Sequence, residues 1–235
     1  MFIKKIIVAI KKAVEKFFPE EDILISKDKW NKLAQKNSRY YIVSRAGKEI
    51  NEKRFKEIGE ENYHDLVLSD NLLREKLVDF KNKVVLDIGC GTGRLTELFA
   101  ADFKNAYGID ISEEMIRQAK ERLNDIKNVH LYATDGLNYP FEDNFFDFIF
   151  SFVVFHHMPN REVVKKNFEE VYRTLKKDGI TKIQIRGGGQ PYRWQWYHGK
   201  SFKKEEALEM LEKIGFKVLK VEGENTKLLW LWLVK

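Results

Sequence analysis

The chain has 235 residues, 43% of them hydrophobic, enough for one large core or one core with a small appendage. Its single cysteine, Cys90, excludes an internal disulfide and points to a reducing, cytoplasmic compartment. The net charge of +6 is concentrated: residues 1–16 hold five lysines against Glu15, residues 179–204 hold six basic residues and no acid, and the rest sums to about −4. This pattern argues against a broad nucleic-acid-coating face and for a local anionic partner.

In chain order, Ile3, Ile6, Ile10, Ala13, Val14 and Phe17 share one helical side and Lys4, Lys5, Lys11, Lys12 and Lys16 the other, which predicts a basic amphipathic helix over residues 1–18, ended by Pro19. Such a helix packs on its own domain, on a dimer partner, or on an anionic membrane surface, which makes a peripheral membrane contact a candidate. Its longest apolar run, IIVAI, is too short for a span or a cleavable signal, and so is the C-terminal LLWLWLV. Helical patterns over residues 27–43 and, with interruptions, 53–80 complete a helical N-terminal extension of residues 1–80.

From Lys83 the pattern changes to strands alternating with helices. Strands are predicted at 84–88, 106–110, 129–134, 146–152 and 180–186, with helices at 95–101, 113–123 and 162–175. A last helix over 203–214 precedes FKVLKVE and TKLLWLWLV, two strands whose short link, GEN, pairs them antiparallel. The expected fold class is α/β: a doubly wound, mostly parallel seven-stranded sheet over residues 81–235 that closes in a C-terminal antiparallel hairpin.

In such a sheet, ligands lie at the carboxyl ends of the strands, where VVLDIGCGTGRLT places a glycine loop between a strand and a helix. A dinucleotide loop wants G-x-G-x-x-G; here Gly89 and Gly91 fit, but Arg94 takes the third glycine's place and Gly93 comes one position early. The loop instead resembles the first motif of the class I S-adenosylmethionine-dependent methyltransferases. YGIDISEEMIRQAKERL resembles the second motif, ATDGLNYPFEDNFFDFIFSF the third and fourth, and VYRTLKKDGITKIQIRGG the segment entering the fifth strand. The resemblance covers residues 83–186 and implies a Rossmann-like methyltransferase domain with S-adenosylmethionine as cofactor.

On that resemblance, Asp87 attracts the cofactor's ammonium group, and Gly89, Cys90, Gly91 and Gly93 form the loop that the methionine and ribose approach. Asp110 accepts from both ribose hydroxyls, Ile111 and Met115 sandwich the adenine, Asp135 and the Gly136 amide meet its edge, and Ser151 and Phe152 lie near the methyl group. His157, or its neighbour His156, is the candidate proton acceptor, the alternative being that both cap a helix or stack on the cofactor. The stretch WNKLAQKNSRYYIVSR is expected to fold over the cofactor as a lid, with Tyr41 and Arg45 as acceptor contacts. Arg186, Trp194, Tyr197 and His198, after the fifth strand, are the other candidates for acceptor binding.

Absences narrow the chemistry. Pyrimidine C5 methylation needs a nucleophilic cysteine, and Cys90 sits in the cofactor loop; radical iron–sulfur chemistry needs several cysteines; no His/Cys/Asp spacing suggests a metal. The expectation is methyl transfer to an oxygen or nitrogen of a small acceptor that is anionic, sugar-like or lipid-linked. An RNA methyltransferase and a non-catalytic cofactor-binding module in a complex remain the alternatives, and oligomeric state is not legible.

Overall fold

The computed structural model describes residues 19–188, 199–224 and 226–235. The basic helix expected over residues 1–18, and Trp194, Tyr197 and His198, lie outside the described residues.

Short apolar strands without alternation need cover on both faces. VVLDI is such a strand: it forms β1 (Val84–Ile88), buried from Val85 onward, at the centre of the sheet. The others are β2 (Asn105–Asp110), β3 (Val129–Ala133), β4 (Phe146–Ser151), β5 (Leu175–Arg186), β6 (Lys217–Glu222) and β7 (Leu228–Val234). They form one seven-stranded sheet in the order β3-β2-β1-β4-β5-β7-β6. The first five are parallel, and β7 runs antiparallel to both β5 and β6, so the predicted hairpin is present with β7 inserted beside β5. Strand order reverses between β1 and β4, which opens a crevice at their carboxyl ends.

Helices α1 (Pro19–Ile42), α2 (Glu52–Tyr63), α3 (Asn71–Lys76), α4 (Thr96–Asp102), α5 (Glu113–Arg122), α6 (Arg161–Thr174) and α7 (Lys204–Ile214) surround the sheet. On one face Phe168 and Val171 of α6 and Leu211 of α7 pack with Leu86, Ile149 and Ile183. On the other, Tyr63 of α2, Leu73 of α3 and Phe99 of α4 pack with Val85, Phe148, Phe150 and Trp232. Residues of the N-terminal extension therefore share a core with the sheet.

Side-chain caps set the helix starts that face the crevice. Ser112 Oγ accepts from the Met115 N–H at 3.1 Å to begin α5, and Asn160 Oδ1 accepts from the Val163 N–H at 2.9 Å to begin α6. Two boundaries depart from expectation. β5 starts at Leu175, not Ile180, because Leu175 pairs with Phe146. α1 starts at Pro19, not Lys27, and its early turns are held by distant partners: Asn160 Nδ2 donates to Asp22 Oδ2 at 2.9 Å, and Ile23 is buried over Gly136.

Candidate active site

The crevice at the ends of β1, β2 and β4 holds a cleft of about 1250 Å³, its mouth included. Its floor is the Gly89–Gly91 turn. Gly89 and Gly91 adopt φ of +70° and +55°, a left-handed conformation that side chains disfavour. A Cβ on Gly89 would come within 2.3 Å of Val154, and one on Gly91 within 3.0 Å of Ile42. The loop is tied to β2: the Gly89 and Cys90 N–H groups donate to Ile109 O at 2.7 and 3.0 Å, and the Gly91 N–H donates to Asp110 Oδ2 at 3.0 Å.

Two carboxylates face the cleft. Asp87, 4% exposed at the end of β1, accepts from Thr96 Oγ1 at 2.7 Å. Burial pushes its pKa up to about 7, and Asp110 adds to the rise while Thr96 and Arg94 oppose it. Asp110 accepts from the Ser112 N–H as well as the Gly91 N–H, and burial raises its pKa too. Ile111, Met115, Thr134 and Gly136 continue the wall.

The other end is aromatic. Phe152 lines the cleft and stacks on Trp230, ring centroids 5.7 Å apart. Val153 follows with φ +63°, strained for a β-branched residue, and this turn sets Val154 against Gly89 and lets Val154 O accept from the His157 N–H at 2.8 Å. His157 lines the cleft with its ring edge-on to Trp30 of α1, centroids 5.3 Å apart. Helix α1 forms the roof, contributing Ile23, Ser26, Trp30, Tyr41 and Ile42. It is fastened to α5, where Asn31 Oδ1 accepts from Ser112 Oγ at 2.7 Å and from the Glu114 N–H at 3.1 Å.

Several expected site residues stand elsewhere. Asp135 is exposed and off the cleft; its carboxylate accepts from the Leu137 and Asn138 N–H groups and from Asn138 Nδ2, all within its own turn. Ser151 is buried, its hydroxyl donating to Ile88 O at 3.1 Å, so it ties β4 to β1 without lining the cleft. Gly93 and His156 lie behind the lining, Arg45 is exposed in the 3-10 turn Ser44–Ala46, and Arg186 is half-buried at the end of β5. The basic concentration after residue 179 is partly neutralised within the fold: Lys182 pairs with Asp70 in the interior, and Lys204 pairs with Glu224 at the surface. Conversely, Trp30, Arg94, Tyr139 and Asn167 line the cleft without having been singled out for it. The only local signal for Trp30 was its place in the stretch expected to form a lid.

The comparisons fall on this cleft. The family described as a methyltransferase domain matches residues 85–179, from β1 to the middle of β5. The chain carries a class I S-adenosylmethionine-dependent methyltransferase domain. It is 40% identical over 115 residues to phosphoethanolamine N-methyltransferase 2 of Caenorhabditis elegans, covering 47% of this chain and 26% of that protein. An uncharacterised protein of Methanocaldococcus jannaschii is 34% identical over 145 residues, 57% of this chain and 65% of that protein. The chain thus spans about a quarter and just under two thirds of these curated relatives. Among solved structures, magnesium protoporphyrin IX methyltransferase of Synechocystis, with bound S-adenosylhomocysteine, shares the fold at a TM-score of 0.66 and 15% identity, over 90% of this chain and 99% of that one.

The cleft fits S-adenosylmethionine as cofactor. The glycine floor leaves room that a Cβ would fill, one carboxylate stands where a cation needs a partner, and a second stands at the end of β2 for vicinal hydroxyls. Because burial pushes the Asp87 carboxyl up to about 7 in the ligand-free protein, an incoming ammonium must shift it to the ionised form. Affinity for S-adenosylhomocysteine is therefore expected to rise about tenfold between pH 6 and pH 8, as one linked proton requires. Calorimetric titration at the two pH values checks this, and Asp87→Asn should flatten the difference. Folding of the ligand-free protein has the opposite sign. A carboxyl raised from 3.8 to about 7 contributes its stability below the lower value and loses it as pH rises through the upper.

Proposed function

We propose that this protein transfers a methyl group from S-adenosylmethionine to an oxygen or nitrogen atom of a small acceptor seated in the cleft beside Trp30 and His157. The acceptor carries an anionic, sugar-like or lipid-linked group outside the cleft. The observation that carries this reading is that His157 opens into the same cleft as Asp87 and Asp110, with an aromatic ring across from it.

The sulfonium supplies the activated methyl group, so the protein's work is positioning, exclusion of water and removal of the acceptor's proton. Phe152, Trp30 and Tyr41 form apolar walls that keep water from the acceptor. His157 accepts the proton at a ring nitrogen as the acceptor atom becomes nucleophilic. Arg186 and Lys200, on either side of residues 189–198, and Arg45 beyond the lid are the basic groups that would meet the acceptor's anionic part. In support, one relative is named for methylating phosphoethanolamine, a small phosphorylated amine.

The test is a screen with methyl-labelled S-adenosylmethionine against amines, phenols, phosphorylated small molecules, lipid extracts and total RNA. Label in a small molecule or lipid supports the proposal, and label only in RNA replaces it with the RNA reading. With the acceptor in hand, His157→Ala is expected to lower kcat about 100-fold, the scale of one general base. Binding of S-adenosylhomocysteine should stay unchanged, and added imidazole should restore part of the rate. An unchanged kcat would remove His157 from the chemistry.

A further inference from the structure

Among the described residues few large hydrophobic side chains are exposed, and two of them, Leu24 and Ile25, adjoin in α1 at 64% and 54% exposure. A single exposed apolar side chain is ordinary, but two in succession on a helix that roofs a cleft need a reason. Their neighbours Ile23 and Ser26 line the cleft, and Leu24 and Ile25 stand about 100° and 200° round the helix from Ile23, on its outer side. The early turns of α1 are tied to the starts of α5 and α6, where Lys27 Nζ meets Glu113 at 2.6 Å and Asn160 donates to Asp22, so the exposed pair is presented on a held element. Farther along, the outer side turns polar, with Asp28 and Lys32 paired at 2.7 Å.

What adjoins the pair decides what covers it. Helix α1 begins at Pro19, and residues 1–18, outside the described residues, lead straight into it. Their sequence carries five lysines against Glu15, with apolar residues recurring at helical spacing. Glu20 and Glu21 follow, so the positive charge belongs to residues 1–18 and the apolar contact to Leu24 and Ile25. A basic stretch beside exposed apolar side chains matches a surface that is anionic outside and apolar beneath, the layering of a bilayer with acidic phospholipids. No helix among the described residues is long and apolar enough to cross a membrane, and this contact needs none.

We propose that Leu24 and Ile25, together with residues 1–18, dock the protein on an anionic phospholipid surface and set the roof of the cleft against the headgroups. The cleft lining at Ile23 and Ser26 then lies within one helix diameter, about 10–12 Å, of the lipid. The proposal rests on the methyl-transfer reading above and narrows its acceptor to one anchored in a membrane.

The test is co-sedimentation of the full chain with vesicles of phosphatidylcholine alone or mixed with phosphatidylglycerol. At about 0.1 M salt, binding to the mixed vesicles is expected to be about tenfold tighter, and to weaken at about 0.5 M as screening shortens the reach of the lysines. Leu24→Ser combined with Ile25→Ser should bind the mixed vesicles about tenfold more weakly, the scale of withdrawing two partly buried apolar side chains, while calorimetric binding of S-adenosylhomocysteine stays unchanged. Equal affinity of the wild type for the two vesicle types, or none for either, would overturn the proposal without any variant having to fold. Binding that the double variant leaves unchanged would also overturn it, by placing the contact in residues 1–18 alone. A wild-type dimer that the double variant splits, by sedimentation velocity, would give the pair to a second copy of the chain and overturn it too. Each of these failures leaves the methyl-transfer reading standing, whereas a wild type that binds mixed vesicles but no S-adenosylhomocysteine supports the docking surface and strikes at that reading instead.

Discussion

Replacing Asp110 with alanine is expected to weaken binding of S-adenosylhomocysteine about 1000-fold, since two hydrogen bonds to a charged acceptor contribute about 1.5–3 kcal/mol each. The reason lies in how the carboxylate is aimed. One oxygen accepts from the Gly91 N–H and the other from the Ser112 N–H, which fixes the group while each oxygen keeps lone-pair capacity toward the cleft. Vicinal ribose hydroxyls are the matching donors. Asp110→Asn keeps one acceptor and loses the charge, so its affinity should fall between the two. Calorimetry on folded protein, verified by circular dichroism, makes the measurement; a loss smaller than tenfold for the alanine variant would place the ribose elsewhere.

The largest effect on stability is expected away from the cleft. Lys182 of β5 and Asp70, ahead of α3, have side chains 5% and 6% exposed and meet at 2.7 Å. The ammonium also donates to Leu66 O at 2.7 Å and lies over the rings of Trp232 and Trp230, 4.6 and 5.1 Å from their centroids. Asp70 in turn accepts from Trp232 Nε1 at 2.8 Å and from the Leu72 and Leu73 N–H groups that begin α3. One charge pair therefore joins the helical extension to two strands of the sheet.

Lys182→Met leaves Asp70 buried without its counter-charge and should cost about 3–5 kcal/mol in urea unfolding, the usual penalty for breaking such a pair on one side. Adding Asp70→Asn should recover part of that loss, because the stranded charge goes with it. Burial acts to raise the Asp70 pKa, but Lys182 and the Leu73 N–H outweigh it and hold the carboxyl below its ordinary 3.8. Its contribution is thus present above that value and lost as pH falls through the lower folded one. A single variant within 1 kcal/mol of wild type, by the same unfolding measurement, would show that the pair is dispensable.

Much of the framework was legible before any coordinates. VVLDI has the unbroken apolar character of a central parallel strand, the glycine loop has the spacing of a turn that admits a ligand, and Gly89 and Gly91 do adopt the left-handed backbone that their residue type permits. The hairpin followed from two strands with a link too short for a crossover helix. These features depend on neighbours in the chain, so they leave a mark in periodicity, composition and spacing.

What only the tertiary structure decided concerns side chains that meet across long stretches of chain. A strand-end aspartate has the same local signature whether it faces the cleft, as Asp110 does, or closes its own turn, as Asp135 does. Lys182 counts as a free positive charge in the sequence and is an internal anchor in the fold, because Asp70 arrives from another layer. Trp30 meets His157, and Arg94 loses water against α2, for the same reason. Local pattern determines which backbone elements form and where they turn, while packing between elements determines which side chains are desolvated, paired or left open to a ligand.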